Sequence, residues 1–283
     1  MRNSSWTTLA SAALLLSAAA CTSDGDAREN APAARATANV VTITASDFAF
    51  QAPASIPAGL TTINLVNRGP ELHHVQLVKI AEGHTVQELM EGMKHAGGPP
   101  PRWATFVGGP NTPVPGKQAQ ATVDLAPGSY ALVCFIPSND GVLHVMKGMV
   151  KPLTVTPSSN QARAAAPDAR ITLRDYSYEI RPEIAAGRRT IRVENAAAQP
   201  HELILVQLAP GKNAGDMLAW LEKMQGPPPG EPIGGTTFLS RGVSNDVTAD
   251  FTAGEYALLC MVPDAGDGKP HVAHGMVRQI TVR

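Results

Sequence analysis

Gly128-Ser-Tyr-Ala-Leu-Val-Cys134 and Gly254-Glu-Tyr-Ala-Leu-Leu-Cys260 are one segment written twice. Each opens on glycine, places its large residues with period two and ends in cysteine. Period two puts Tyr130, Leu132 and Cys134 on one face of a β-strand. The cysteine therefore continues an inward row to the end of a sheet. Working outward, Ile43 to Asn67 (ITASDFAFQAPASIPAGLTTINLVN) matches Ile171 to Asn195 (ITLRDYSYEIRPEIAAGRRTIRVEN). Asp47, Ile56, Gly59 and Ile63 recur as Asp175, Ile184, Gly187 and Ile191, and Gly148-Met149-Val150 recurs as Gly275-Met276-Val277. A repeat this long is a whole domain rather than a solenoid unit.

Setting the halves against each other filters the chemically capable side chains. Of the eight histidines, only His73/His201 and His144/His271 hold matched positions. His74 faces Glu202, His84 faces Lys212, His95 faces Lys223 and His274 faces Lys147, a pattern expected of solvated surface. Met149/Met276 is the only matched methionine pair. The others exchange with Leu, Ala or Phe, as a flexible apolar filler does. Each domain thus keeps four residues: His73, Cys134, His144 and Met149 in the first, and His201, Cys260, His271 and Met276 in the second. A thiolate, two imidazoles and a thioether are the donor types of a mononuclear electron-transfer copper site. A lone buried Cys or His is ordinarily a packing residue; duplication of the whole set in register weighs against that reading.

The surrounding pattern is all-β. Val41, Ile43 and Ala45 alternate with polar residues, as do Ile171 and Leu173, and apolar runs follow at 74–80 and 202–208. Thr85–His95 and Ala214–Gln225 have helical spacing, and each runs into Gly-Pro-Pro-Pro, which stops a helix. Each domain therefore reads as a small β-sandwich with one inserted short helix. The second His and the Met lie five residues apart in both copies, with glycine just before Met. Three candidate ligands come from one loop. The fourth, His73 or His201, follows Asn67 or Asn195 by six residues on an adjacent strand. Asp47/Asp175, Phe48/Tyr176 and Phe50/Tyr178 read as turn and core elements. Arg102, Trp103 and Trp220 have no counterparts and no assignment.

The net charge is −1, with no basic block, so nucleic acid is not an expected partner. Arg2 and the apolar run Leu9–Ala20 form an export signal too short to span a bilayer permanently. Ser-Ala-Ala-Ala before Cys21 resembles a bacterial lipoprotein cleavage site, with Ala18 where Leu is usual. The resemblance implies lipidation of Cys21; ordinary signal cleavage nearby, leaving a free thiol, is the alternative. The expected organisation is a signal peptide at 1–20, a lipidated flexible tether at 21–39 and domain 1 at 40–156. A linker at 157–169 and domain 2 at 170–283 follow. The expected location is outside the cytoplasm, membrane-anchored and facing the periplasm or cell exterior. One cysteine per domain makes an intramolecular disulfide geometrically unfavourable.

At these residues the chain resembles the cupredoxins. Asn195-Ala-Ala-Ala-Gln-Pro-His201, Tyr256-Ala-Leu-Leu-Cys260, His271-Val-Ala-His-Gly-Met276 and their domain 1 equivalents carry the likeness. The Cys134–Met149 stretch looks like the long type 1 ligand loop of copper nitrite reductases. The resemblance implies an eight-stranded Greek-key sandwich in each domain. It also implies one type 1 copper per domain cycling between Cu(I) and Cu(II), the four matched residues as ligands, and redox partner proteins. Two departures matter. The Cys-to-His spacing is longer than in plastocyanin- or azurin-like proteins and differs by one residue between the copies. Val133 or Leu259 also precedes Cys where oxidases and nitrite reductases have His, and the chain has no His-x-His pair. The expectation is therefore an electron carrier rather than an enzyme. A Cu(I) storage or delivery protein and a metal-free interaction module remain as alternatives.

Overall fold

The computed structural model describes residues 36–93 and 101–283. The export signal, Cys21, the tether as far as residue 35, His95 and the first two prolines of Pro99–Pro101 lie outside the described residues. In the first half the strands are β1 (Asn39–Ser46), β2 (Ala49–Gln51), β3 (Ser55–Pro57), β4 (Gly59–Asn67) and β5 (Gln76–Ile80). Helix α1 (Val86–Met93) follows, then β6 (Ala104–Gly108), β7 (Gln118–Leu125), β8 (Gly128–Val133) and β9 (Val150–Thr156). The second half contains β10 (Ala169–Arg174), β11 (Ser177–Arg181), β12 (Gly187–Asn195) and β13 (His201–Leu208). It continues with α2 (Ala214–Lys223), β14 (Gly230–Leu239), β15 (Ser244–Phe251), β16 (Gly254–Leu259) and β17 (Val277–Val282).

Each half is a sandwich of two sheets. In the first, β2-β1-β4-β7 faces β6-β5-β8-β9-β3; in the second, β11-β10-β12-β15 faces β14-β13-β16-β17. Between the sheets of the first half lie Ile43, Ile63, Leu65, Leu77, Tyr130, Leu132, Cys134 and Met149. The expected inward row of β8 is therefore present. The opposite face of β8 is also covered: Ala131 and Val133 pack with Leu89 of α1. This explains the near-continuous apolar character of the segment. Both helices begin with a reciprocal cap. Thr85 Oγ1 accepts from Glu88 N–H while Glu88 accepts from Thr85 N–H, and Asn213 and Asp216 do the same for α2.

The two sandwiches share both of their sheets. β7 pairs antiparallel with β15, matching Thr122 to Asp246, Ala121 to Val247 and Gln120 to Thr248. β6 meets β14 at Val107 and Leu239, beside isolated bridges Pro110 to Thr236 and Pro113 to Ile233. In the repeat Ala121 corresponds to Val247, Gln120 to Asp246 and Pro110 to Thr236. The seam is therefore self-complementary, as an isologous dimer interface is, but within one chain. The joining strands β6 and β14 are absent from the periodic segments of the sequence. They contain Gly108, Gly234 and Gly235, all at positive φ. Their extended form is fixed by partners on both sides rather than by residue preference.

Candidate metal centres

Each centre is built at one end of its sandwich. Cys134 directly follows β8, and Cys260 directly follows β16. The chain then loops back so that Val145 N–H reaches Cys134 O at 2.9 Å and Val272 N–H reaches Cys260 O at 2.8 Å. Single 3-10 turns, His144–Lys147 and His271–His274, carry the second His. They end on Gly148 (φ 99°) and Gly275 (φ 89°), which explains glycine before Met in both copies. Met149 N–H returns to His144 O at 2.9 Å, and Met276 N–H to His271 O at 3.0 Å. The loop leading to the first His is pinned by the matched asparagine. Asn67 Nδ2 donates to Glu71 O and Pro113 O, and Asn195 Nδ2 donates to Gln199 O and Leu239 O. Both asparagines are fully buried.

The structure brings His73, Cys134 and His144 together, and likewise His201, Cys260 and His271; the donor atoms of each set lie within 4.8 Å of one another. His73 Nδ1 is 3.1 Å from His144 Nδ1, and Cys134 Sγ is 3.4 Å from His144 Nδ1. Cys260 Sγ lies 3.8 Å from His201 Nδ1 and 3.4 Å from His271 Nδ1. All six side chains are fully buried, as are Met149 and Met276, which sit in the same cores as the cysteines. Among the described residues, Cys134 and Cys260 are free thiols.

The outer imidazole nitrogens face carboxylates. His144 Nε2 donates to Glu71 at 2.7 Å and His201 Nε2 to Asp175 at 3.0 Å. His73 Nε2 lies 3.8 Å from Asp47 and His271 Nε2 lies 3.6 Å from Asp264. A proton held on Nε2 leaves a bare Nδ1 lone pair facing the sulfur, the tautomer a metal requires. Burial and the neighbouring His144 lower His73 to about 4, and burial with His201 beside it lowers His271 to about 4. Burial raises the Cys134 thiol to about 12, against backbone N–H groups of His74 and Ile136 that favour the thiolate. Cys260 is raised further by burial and by Glu202. Converging lone pairs from two imidazoles and a sulfur, with no side-chain cation among them, suit a soft cation.

Two outer features depart from the sequence reading. His74 and Glu202 are not solvated: they are 3% and 2% exposed. His74 Nε2 accepts the N–H of Phe135, and Glu202 Oε1 accepts the N–H of Met261, the residues after the two cysteines. The exchange of His for Glu preserves an acceptor, and the opposite domain supplies the cover. Burial raises the Glu202 carboxyl to about 7. Asp47/Asp175 and Phe48/Tyr176 do form turns, and they also wall the centres. Phe48 stands edge-on to His144 at 5.2 Å and Tyr176 edge-on to His271 at 5.5 Å. Phe48 (φ 58°) and Tyr176 (φ 61°) hold left-handed backbone conformations, costly for aromatic residues and concentrated at functional sites. Their recurrence was the available signal. A third group, Asp264, Asp267 and His274, also clusters. His274 bonds Asp267 at 3.1 Å where Lys147 bonds Asp140 at 2.7 Å, so this contact closes the loop with His in the place of Lys.

No family model matches the sequence, and no curated protein is similar to it in sequence. Among solved structures, reduced auracyanin from Roseiflexus castenholzii is similar over 43% of this chain and 99% of its own, at 23% identity and TM-score 0.32. Auracyanin A from Chloroflexus aurantiacus is similar over 42% and 100%, at 20% identity and TM-score 0.28. The blue copper oxidase of Nitrosomonas europaea matches over 87% and 86%, at 16% identity and TM-score 0.25. Topology and donor clusters together give two tandem β-sandwiches of cupredoxin-like fold, each with one His-Cys-His cluster.

Proposed function

We propose that this protein is an extracytoplasmic electron carrier with one type 1-like copper in each domain, tethered to a membrane through a lipid on Cys21. The carrying observation is the convergence of Nδ1, Sγ and Nδ1 in a fully buried cluster, formed twice. His73, Cys134 and His144 would hold one copper and His201, Cys260 and His271 the other, with the thioethers of Met149 and Met276, buried in the same cores, as further soft donors. The metal supplies a reversible one-electron couple. The chain supplies the rest. Glu71 and Asp175 hold the Nε2 protons of His144 and His201, burial excludes water, and the backbone bonds closing each loop fix the donors against rearrangement. Full burial suits a retained cofactor better than a cargo that must leave. Val133 and Leu259 provide no His link to a second, catalytic copper, so we assign no catalysis to the chain alone.

The test is a visible spectrum of the tether-free chain after Cu(II) addition and desalting, with copper counted. Two coppers and an intense thiolate-to-copper band, both lost in Cys134→Ser/Cys260→Ser, are expected. Tight Cu(I) binding without a Cu(II) band would instead make it a Cu(I) storage or delivery protein. No retained metal would leave a metal-free interaction module.

A further inference from the structure

Glu202 has its two oxygens committed to different domains. Oε1 accepts from Met261 N–H at 2.9 Å, beside ligand Cys260, while Oε2 accepts from Asn111 Nδ2 of domain 1 at 2.8 Å. The Glu202 N–H also points at Cys260 Sγ, 3.4 Å away. Asn111 is 1% exposed and anchored independently. Its N–H donates to Gly235 O at 3.1 Å. Its Oδ1 accepts from the N–H and hydroxyl of Thr112 at 2.9 and 2.6 Å. With Oδ1 engaged by donors, Nδ2 is the half of the amide that must face acceptors, and Glu202 is the nearest of them.

The pseudo-twofold seam allows an internal comparison. The residue matching Asn111 in domain 2 is Thr237. It reproduces the backbone bond, from its N–H to Gly109 O at 3.0 Å, and its hydroxyl reaches Val75 O at 3.2 Å. Among the described residues it makes no side-chain bond to His74. The domain 1 centre is covered instead by Phe238, stacked on Phe135 at 5.3 Å. Asn111 also pairs through its side chain with His74 of its own domain, but the polar tie that crosses the seam onto the residue beside a first ligand runs from domain 1 to the domain 2 centre, with no polar counterpart from Thr237.

We infer that Asn111 is an interdomain positioning residue for the domain 2 metal centre, acting through Glu202 on Met261 and so on Cys260. This rests on the copper reading above. Outer partners of this kind set ligand orientation and metal retention. The domain 2 centre then reports whether the domains are docked.

The experiment uses the full chain with Cys134→Ser, so that copper occupies domain 2 alone. Adding Asn111→Ala is expected to speed copper release to a chelator about tenfold, at the low end of outer-partner effects. It should also shift the thiolate-to-copper band and the reduction potential. In a Glu202→Gln background the same change should add little, because partners in one network are non-additive. Unchanged band, potential and release rate would overturn the inference, as would an undiminished effect in Glu202→Gln. So would an equally large loss of copper from domain 1 when Asn111→Ala is placed in a Cys260→Ser chain, since Asn111 would then be a general interface element. Failure of the parent chains to take up copper would instead remove the copper reading itself.

Discussion

Asp175 accepts the outer proton of His201 at 3.0 Å, whereas Asp47 stands 3.8 Å from His73. The first contact is a hydrogen bond and the second is not. Asp175→Asn should therefore weaken copper binding in domain 2 by about 10- to 100-fold, with Asp47→Asn weaker in effect at domain 1. Site-resolved titrations in the single-cysteine chains would measure both. His74 permits a prediction without metal. It is buried, accepts the Phe135 N–H and is lowered to about 3 from an ordinary 6.5. The unfolded chain takes up this proton as pH falls through 6.5; the folded chain does not until about 3. The stability His74 contributes is thus complete above 6.5 and is lost progressively down to about 3. Burial lowers His73 and His271 to about 4, so both act in the same direction over much of that window. The denaturation midpoint of copper-free protein should fall as it is acidified, and His74→Gln should flatten the slope. A midpoint flat in pH would show that these imidazoles are not held neutral. The eight ligand candidates were legible because the repeat preserves them as identical residues. His74 and Glu202 were not, because the repeat preserves their role as acceptors while changing their identity and formal charge.

Strand propensity and period two were enough to place β1, β5, β8 and their copies, since each has at least one apolar face to bury. β6 and β14 have no such pattern, and β14 depends on glycine where another backbone comes too close for a side chain. A Cβ on Gly235 (φ +133°) would lie 1.9 Å from Leu203 O, whereas Gly242 (φ +77°) has nothing within 4 Å. Gly242→Ala should therefore cost only its backbone strain, on the order of 1 kcal/mol. Gly235→Ala should cost more, roughly 3 kcal/mol or above, because β13 and β14 must also separate. Calorimetric melting of both variants would test this, and equal losses would mean that β14 is not tightly paired there. The ligand loops show the same dependence on tertiary context. Lys147–Asp140 in one and His274–Asp267 in the other close loops of different length around an identical donor set. The one-residue difference in spacing is thus taken up in the loop, outside the donor set.

Across the whole molecule, the linker and the seam make opposite demands. A chain with two independent domains would survive separation. Here separation would leave β7 and β15 as unpaired edges and uncover Asn111, Thr236, Thr237 and Asn245, all 5% exposed or less. Buried polar groups of this kind are costly once their partners leave, and open strand edges invite aggregation. The connection between the halves, by contrast, carries no strand or helix between Thr156 and Ala169, and Arg163 is exposed within it. Brief trypsin treatment should therefore cut after Arg163 while the paired strands resist. The nicked halves should stay together on size-exclusion chromatography at low micromolar concentration, melt in one transition and retain both coppers. Separation into two soluble folded fragments, each with its own copper, would show that the shared sheets contribute little. Asn111 would then have no persistent partner through which to act, so this measurement also bears on the coupling proposed between the domains.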